Sequence, residues 1–104
     1  MNRKSVIKGY GDSREVFIDD VPLNPLKSQS AFNHSPDGFN WGYGGSGPSQ
    51  LALALLLEIT NKETALRHYQ SFKWDVVAGL PKDFEISGEK IFNWLDVKIQ
   101  ENKN

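Results

Sequence analysis

The run LALALLL at residues 51–57 constrains the fold of this chain more than any other segment. A helix that carries it would be apolar on nearly every side, and such a helix has to lie inside a domain. Pro48 suits the first helical position, because proline lacks the N–H group that would be unpaired there. The sequence therefore predicts a buried central helix with Gly47 as its N-cap and Gln50 reaching back to that cap.

An aromatic and glycine-rich segment, GFNWGYGGSGP, precedes this helix at residues 38–48. Its alternating aromatic residues are Phe39, Trp41 and Tyr43. A strand there would turn all of them onto one face. The opposite face would carry Asn40, Gly42 and Gly44. The segment is therefore predicted to be a third strand with a nearly bare face, a pattern typical of close approach by a ligand, a partner or a neighbouring element.

The other elements divide into an N-terminal β region and a C-terminal α region. Short β-forming runs at 5–7 and 15–18 lie on either side of turn residues. Apolar residues recur with helical spacing over 62–78 and again after Ser87. This segregation predicts one α+β domain over 1–104, a small antiparallel sheet of about three strands followed by three helices, the first of them buried. Its predicted parts are a β and loop region (1–45), an α region (46–100) and a frayed tail (101–104).

Composition excludes several classes of function. The chain carries 12 Lys and Arg against 13 Asp and Glu, a net charge of −1, so no overall attraction to nucleic acid or membrane is expected. It has no cysteine, which excludes thiol nucleophiles and zinc–thiolate sites. Two histidines give no metal-ligand spacing, and no cofactor is expected. The N-terminus lacks the apolar stretch of a secretion signal, so a cytoplasmic protein is expected.

Two nucleotide-binding patterns overlap the glycine-rich segment. Residues 42–47 read as G-x-G-x-x-G, but no second βαβ strand follows them. Residues 42–49 have P-loop spacing with Pro48 in place of the lysine, which removes a cation and a backbone donor and excludes a P-loop NTPase. A tight strand-to-helix turn is the favoured interpretation. Binding of a phosphate-like anion at the helix N-terminus stays open. Its polar contacts would come from Ser46, Ser49 and Gln50.

His34 lies close to Ser35 and Asp37, a combination that suggests a hydrolase. Sequence neighbours on one turn seldom reach the geometry of a nucleophile, a base and an orienting group, which normally come from separate elements. Asn33, Ser35 and Asp37 are expected to bond to loop backbone instead. The sequence therefore predicts no catalytic set.

Trp74 is predicted to lie off the apolar stripe of its helix. An exposed tryptophan would indicate a partner surface, where this residue is enriched. Alternatively, the N-terminal sheet or the loop at 24–36 covers it. The sequence leaves both alternatives open.

The segment HSPDGFNWGYGGSGPSQLALALLLE at residues 34–58 resembles the signature of a family of small uncharacterised proteins of bacteria, phages and mobile elements. The family pattern is H-S-P-x-G-F-x-W-G-Y-x-G-S-G-P-x-Q-L-A-x-A-L, with a downstream Y-Q-x-F-K that matches residues 69–73. The resemblance extends over residues 9–95. It implies no established activity or catalytic residues. It implies a phage or mobile-element origin and a protein that binds host machinery such as a defence component.

These observations favour a non-enzymatic binding module that acts on a host protein. The alternative is a binding protein or enzyme for a small phosphate- or nucleotide-like anion, held by the glycine-rich loop. Nucleic acid is the weakest candidate partner, and no membrane is expected. The candidate binding residues are Asn33, His34, Asn40, Gly42, Gly44, Gly45, Ser46, Ser49, Gln50 and Trp74.

Overall fold

The computed structural model describes residues 1–102, which form the predicted α+β fold. The strands are β1 (Val6–Tyr10), β2 (Glu15–Ile18), β3 (Val21–Pro22) and β4 (Phe84–Ser87). The helices are α1 (Leu26–Ala31), α2 (Ser46–Leu57), α3 (Lys62–Asp75) and α4 (Gly88–Glu101), with a 3-10 helix at Val77–Gly79. The strands make one antiparallel sheet in the order β3-β2-β1-β4.

Helix α2 is the centre of the domain, as its apolar sequence predicts. Residues 47–57 are all buried, and the helix lies against α1, α3 and the 3-10 helix. Its leucines share one hydrophobic core with Ile7 and Val16 of the sheet. Burial of a leucine side chain stabilises a fold by about 1.5–3 kcal/mol, so the leucines of α2 contribute a large part of the stability of the core.

The start of α2 differs from the prediction. The helix begins at Ser46 with Gly45 as its N-cap, so Gly47 and Pro48 already lie in the first turn. No side chain caps this terminus. Gln50 does not reach back to the cap, because its amide is engaged by the loop that follows α1.

The prediction of a strand over residues 39–43 is wrong. Phe39 and Trp41 are buried, but the chain turns between Trp41 and Tyr43 because Gly42 has a φ of +85°. The Trp41 indole Nε1 donates to the carbonyl oxygens of Pro81 and Lys82 at 3.0 and 2.9 Å. This segment is therefore anchored by side chains, and Tyr43 points outward instead of joining the core.

The sheet instead includes β4, which sequence patterning did not identify as a strand. It pairs with β1 in the register Ile7↔Ile86 and Gly9↔Phe84, and it lies in the chain between α3 and α4. The short helix α1 was also not predicted. Because β4 follows α1, α2 and α3 in the chain, the strands do not all precede the helices. Of the predicted tail, Glu101 belongs to α4, and residues 103–104 lie outside the described residues.

A candidate partner-binding surface at the glycine-rich segment

The glycines that precede α2 lie beneath aromatic side chains. A Cβ atom added at Gly44 would overlap the six-membered ring of Trp74, which comes from the end of α3. A Cβ atom at Gly45 would lie 2.6 Å from Cε2 of Tyr43. Glycine is needed at both positions for this close approach. The backbone at Gly44 and Gly45 is therefore in contact with two of the protein's own aromatic rings.

Gly42 and Gly47 serve backbone packing. The N–H of Gly42 donates to the carbonyl oxygen of Val77 at 3.1 Å, and a Cβ atom there would lie 3.2 Å from the Leu80 carbonyl oxygen. A Cβ atom at Gly47 would lie 2.5 Å from that of Asn40. These contacts fix the segment against α2 and the 3-10 helix.

The two rings that cover the glycines are themselves open to solvent. Trp74 is 62% exposed and Tyr43 is 50% exposed, so neither the sheet nor the loop at 24–36 covers Trp74. Lys73 places its Nζ 4.3 Å from the centre of the Trp74 ring, although the residue is only 7% exposed. We call the group formed by Tyr43, Gly44, Gly45, Lys73 and Trp74 the Tyr43–Trp74 surface.

Gln50 fastens the loop after α1 to α2. Its Oε1 accepts hydrogen bonds from the N–H groups of His34 and Ser35 at 2.8 and 3.0 Å. Its Nε2 donates to Ser28 Oγ and the Phe32 carbonyl oxygen at 2.9 and 3.1 Å. The amide is wholly buried and its bonds are made within the protein. The structure therefore places Gln50 in a structural role.

His34 is part of the same loop. Its Nε2 lies 2.5 Å from the Tyr69 hydroxyl, and its ring stacks on Phe32 with centroids 4.3 Å apart. Burial, and secondarily the charge of Lys73, lower the pKa of His34. In a hydrolytic triad, a carboxylate orients the histidine that acts as the base. His34 contacts a tyrosine of α3 instead, which fits a contact that positions the loop.

The other candidate residues are dispersed. Asn33 is exposed beside His34, and Ser49 is buried within α2. Asn40 accepts a hydrogen bond from the Trp41 N–H and donates one to the Tyr43 hydroxyl at 3.2 Å. Asn40 therefore supports the Tyr43–Trp74 surface from below.

The N-terminus of α2 adds positive potential beside this surface. Ser46 is exposed, the first turn contains no acidic residue, and no side chain accepts its N–H groups. The first N–H groups of a helix have no partner within the helix, and they carry a partial positive charge. No group of three or more His, Asp or Glu side chains that could hold a metal ion occurs within residues 1–102.

A comparison of the sequence with models of protein families gives a match. Residues 8–97 match the profile of a family described as "Family of unknown function (DUF6166)". The chain belongs to the DUF6166 family. The DUF6166 match includes every residue of the Tyr43–Trp74 surface, but the family description assigns no activity to it. No curated protein and no solved structure matches the chain. In the part of the DUF6166 protein that the structure describes, no helix is long and apolar enough to cross a membrane.

Two residues of this surface were not among the predicted binding residues. Tyr43 was expected on the aromatic face of a strand, and no binding role was predicted for Lys73. A signal for Tyr43 lies in its position directly before Gly44-Gly45, since a ring can fold back onto a glycine. No sequence pattern places Trp74 on Gly44, because that contact joins distant parts of the chain.

Acid is expected to destabilise the fold through its histidines. Burial is the first cause that lowers the pKa of both His34 and His68, followed by Lys73 for the former and by Arg67 and Lys98 for the latter. As the pH falls through the ordinary value of about 6.5, the unfolded chain takes up these protons before the folded one. The stability that the two neutral histidines contribute is therefore complete above that pH, and it is lost as the pH falls towards their lower pKa values in the folded state.

Urea unfolding of the wild type at pH 7.5 and 5.5 measures this effect. The free energy of unfolding should be lower at pH 5.5, and the decrease should be smaller for His34→Gln and for His68→Gln. Equal stability at both pH values in the wild type would contradict the expectation.

Proposed function

We propose that this protein is a non-enzymatic binding module that contacts a partner protein through the Tyr43–Trp74 surface. The observation that carries the proposal is the position of Trp74, which is largely exposed and yet rests on the Gly44 backbone. Tryptophan and tyrosine supply much of the binding energy at the centre of protein interfaces. A fixed, exposed pair of these residues suits that use.

The surface is also preorganised. The Trp74 ring contacts Gly44 on the loop and the Lys73 ammonium on its own helix, a cation–π contact worth about 0.5–1 kcal/mol at exposed sites. A side chain held in this way loses little conformational freedom when a partner binds. Binding would then retain more of the energy gained by burying the ring.

A role without catalysis is supported by what the polar candidate residues do. Gln50 makes its hydrogen bonds inside the protein, and His34 contacts Tyr69. Ser49 is buried in α2. These side chains serve the fold, and the Tyr69 hydroxyl that His34 contacts belongs to a buried residue.

We propose further that the partner is a host protein such as a defence component, met in the cytoplasm by a phage- or mobile-element-encoded protein. The sequence resemblance over residues 9–95 supports this setting, and a chain without cysteine suits a reducing compartment.

Affinity capture from bacterial lysate followed by calorimetry with the captured protein tests the proposal. Trp74→Ala should weaken binding at least about tenfold, because a buried interface tryptophan commonly contributes more than 1.4 kcal/mol. The matched control is Leu26→Ala, since Leu26 is 64% exposed on another helix. Its affinity should equal that of the wild type. A partner that binds Trp74→Ala as tightly as the wild type would refute the proposal.

A second candidate function is the binding of a small phosphate-like anion. It is favoured by the uncapped N-terminus of α2 and by Lys73, which forms no ion pair within residues 1–102. The anion would lie beside Ser46, at the edge of the Tyr43–Trp74 surface.

Thermal unfolding in phosphate and in chloride at equal ionic strength tests this candidate. Phosphate at 100 times its Kd should stabilise the protein by about 2.7 kcal/mol, and Lys73→Met should remove most of the difference. Phosphate also stabilises proteins by exclusion from their surface, so a difference that persists unchanged in Lys73→Met would speak against a site.

A further inference from the structure

We infer that the partner presents an acidic segment to the Tyr43–Trp74 surface, with an Asp or Glu carboxylate against Lys73 and the α2 N-terminus, and an apolar side chain against Trp74. This inference rests on the proposed function and specifies the chemistry of the partner. Three features of the described residues carry it: a buried lysine without an ion pair, an uncapped helix terminus and the ring that lies next to both.

Lys73 is one of five basic residues within residues 1–102 that form no ion pair, and the other four, Lys4, Arg14, Lys62 and Lys90, are exposed. The basic residues that form ion pairs are Arg3, Lys8, Lys27, Arg67, Lys82 and Lys98. Within residues 1–102, Lys73 is the only buried lysine, and its ammonium contacts a ring and no carboxylate. No carboxylate within residues 1–102 lies within 4.0 Å of this ammonium. An external carboxylate would supply the missing counter-charge.

The N-terminus of α2 lies next to the same ring. Trp74 contacts Gly44, which directly precedes the N-cap Gly45, and the first turn of α2 contains no acidic residue. A carboxylate near this terminus would gain hydrogen bonds from its N–H groups. Lys73, in the last turn of α3, and the N-terminus of α2 therefore both lie beside the exposed tryptophan.

The size of this positive region favours a protein segment over nucleic acid. Nucleic-acid binding depends on many phosphate contacts and on clusters of Lys and Arg. Here a single lysine and one helix terminus supply the charge, on a chain whose net charge is −1. One or two carboxylates beside an apolar anchor match that amount of charge.

Selection from a displayed library of random peptides tests the inference on the full chain. Peptides selected by the wild type should be enriched in Asp and Glu, and an enriched synthetic peptide should bind more weakly as salt increases. Lys73→Met should weaken that peptide about tenfold, the effect of roughly one charged hydrogen bond, while Lys73→Arg should retain binding. Lys62→Met removes the same charge from the exposed start of the same helix and should have no effect.

The outcomes separate this inference from the proposed function. Selected peptides that require Trp74 but are basic or neutral would overturn the acidic partner and leave the binding surface in place. A selection that yields no peptide dependent on Trp74 would overturn both. Binding of single-stranded DNA at this surface in a gel-shift assay, lost in Trp74→Ala, would also overturn the inference. Because peptide composition and salt dependence are measured on the wild type, the test stands even if Lys73→Met does not fold.

Discussion

Replacing Gln50 with alanine should lower the free energy of unfolding by about 3–5 kcal/mol. The wholly buried amide accepts hydrogen bonds from the N–H groups of His34 and Ser35 and donates two more to the same loop and α1. Without it, polar groups inside the protein lose their partners, at about 1–3 kcal/mol for each group left unsatisfied. The removed atoms also leave a cavity, which adds to the loss.

Urea denaturation monitored by tryptophan fluorescence measures this change. Gln70→Ala is the matched control, because Gln70 is exposed on α3 and its replacement should change stability by less than about 0.5 kcal/mol. Gln50→Glu should be at least as harmful as alanine, since it buries a carboxylate charge next to the Phe32 carbonyl oxygen, to which it cannot donate. A Gln50→Ala protein as stable as Gln70→Ala would contradict this account.

The second large effect is expected at Gly9, for which Gly44 provides a control. At each glycine an added Cβ atom would overlap an aromatic ring, that of Phe84 at Gly9 and that of Trp74 at Gly44. Phe84 is buried and meets Trp41 edge-on with centroids 5.0 Å apart, so its ring cannot withdraw. Gly9→Ala should therefore cost about 1–3 kcal/mol, as overpacking of a core does.

Gly44→Ala should cost less stability, because the exposed Trp74 ring can move away into solvent. Its effect should appear in binding, since the displaced ring no longer lies where the partner meets it. Chemical denaturation of both variants, with calorimetry against the captured partner, gives the comparison. Equal losses of stability at the two positions would show that ring burial does not decide the cost.

Local chemistry accounts for the parts of the fold that the sequence predicts well. A helix with the apolar run at 51–57 is apolar on nearly every side and has to lie inside the protein, which is where α2 is found. The strands at 6–10 and 15–18 follow from β-forming residues on either side of a turn. In each case the deciding interactions lie within a few residues of one another.

The errors arise where distant contacts override a local pattern. Alternating aromatics at 39–43 resemble a strand, but the Trp41 indole bonds to the carbonyls of Pro81 and Lys82, and the backbone turns at Gly42. Residues 84–87 form a strand because β1 is there to pair with them. Their short alternation alone was not enough to predict it.

The fold brings together two of the candidate binding residues that lie far apart in the sequence. Gly44 and Trp74 were both among the expected residues, for separate reasons, and the fold brings them into contact. Gln50 was expected near a ligand because it follows a glycine-rich turn, and it instead bonds to the loop after α1. Which polar side chain stays free depends on the tertiary partner that it meets, and sequence spacing does not contain that information.

The position of β4 in the chain affects how the domain is made on the ribosome. Strand β1 pairs on one side with the nearby β2 and on the other with β4, whose register joins Ile7 to Ile86. Most of the polypeptide, including the apolar α2, is thus synthesised before the sheet can close. Pairing over such a sequence separation slows folding and prolongs the exposure of apolar surface. Completion of the sheet therefore requires translation of the C-terminal segment that contains β4.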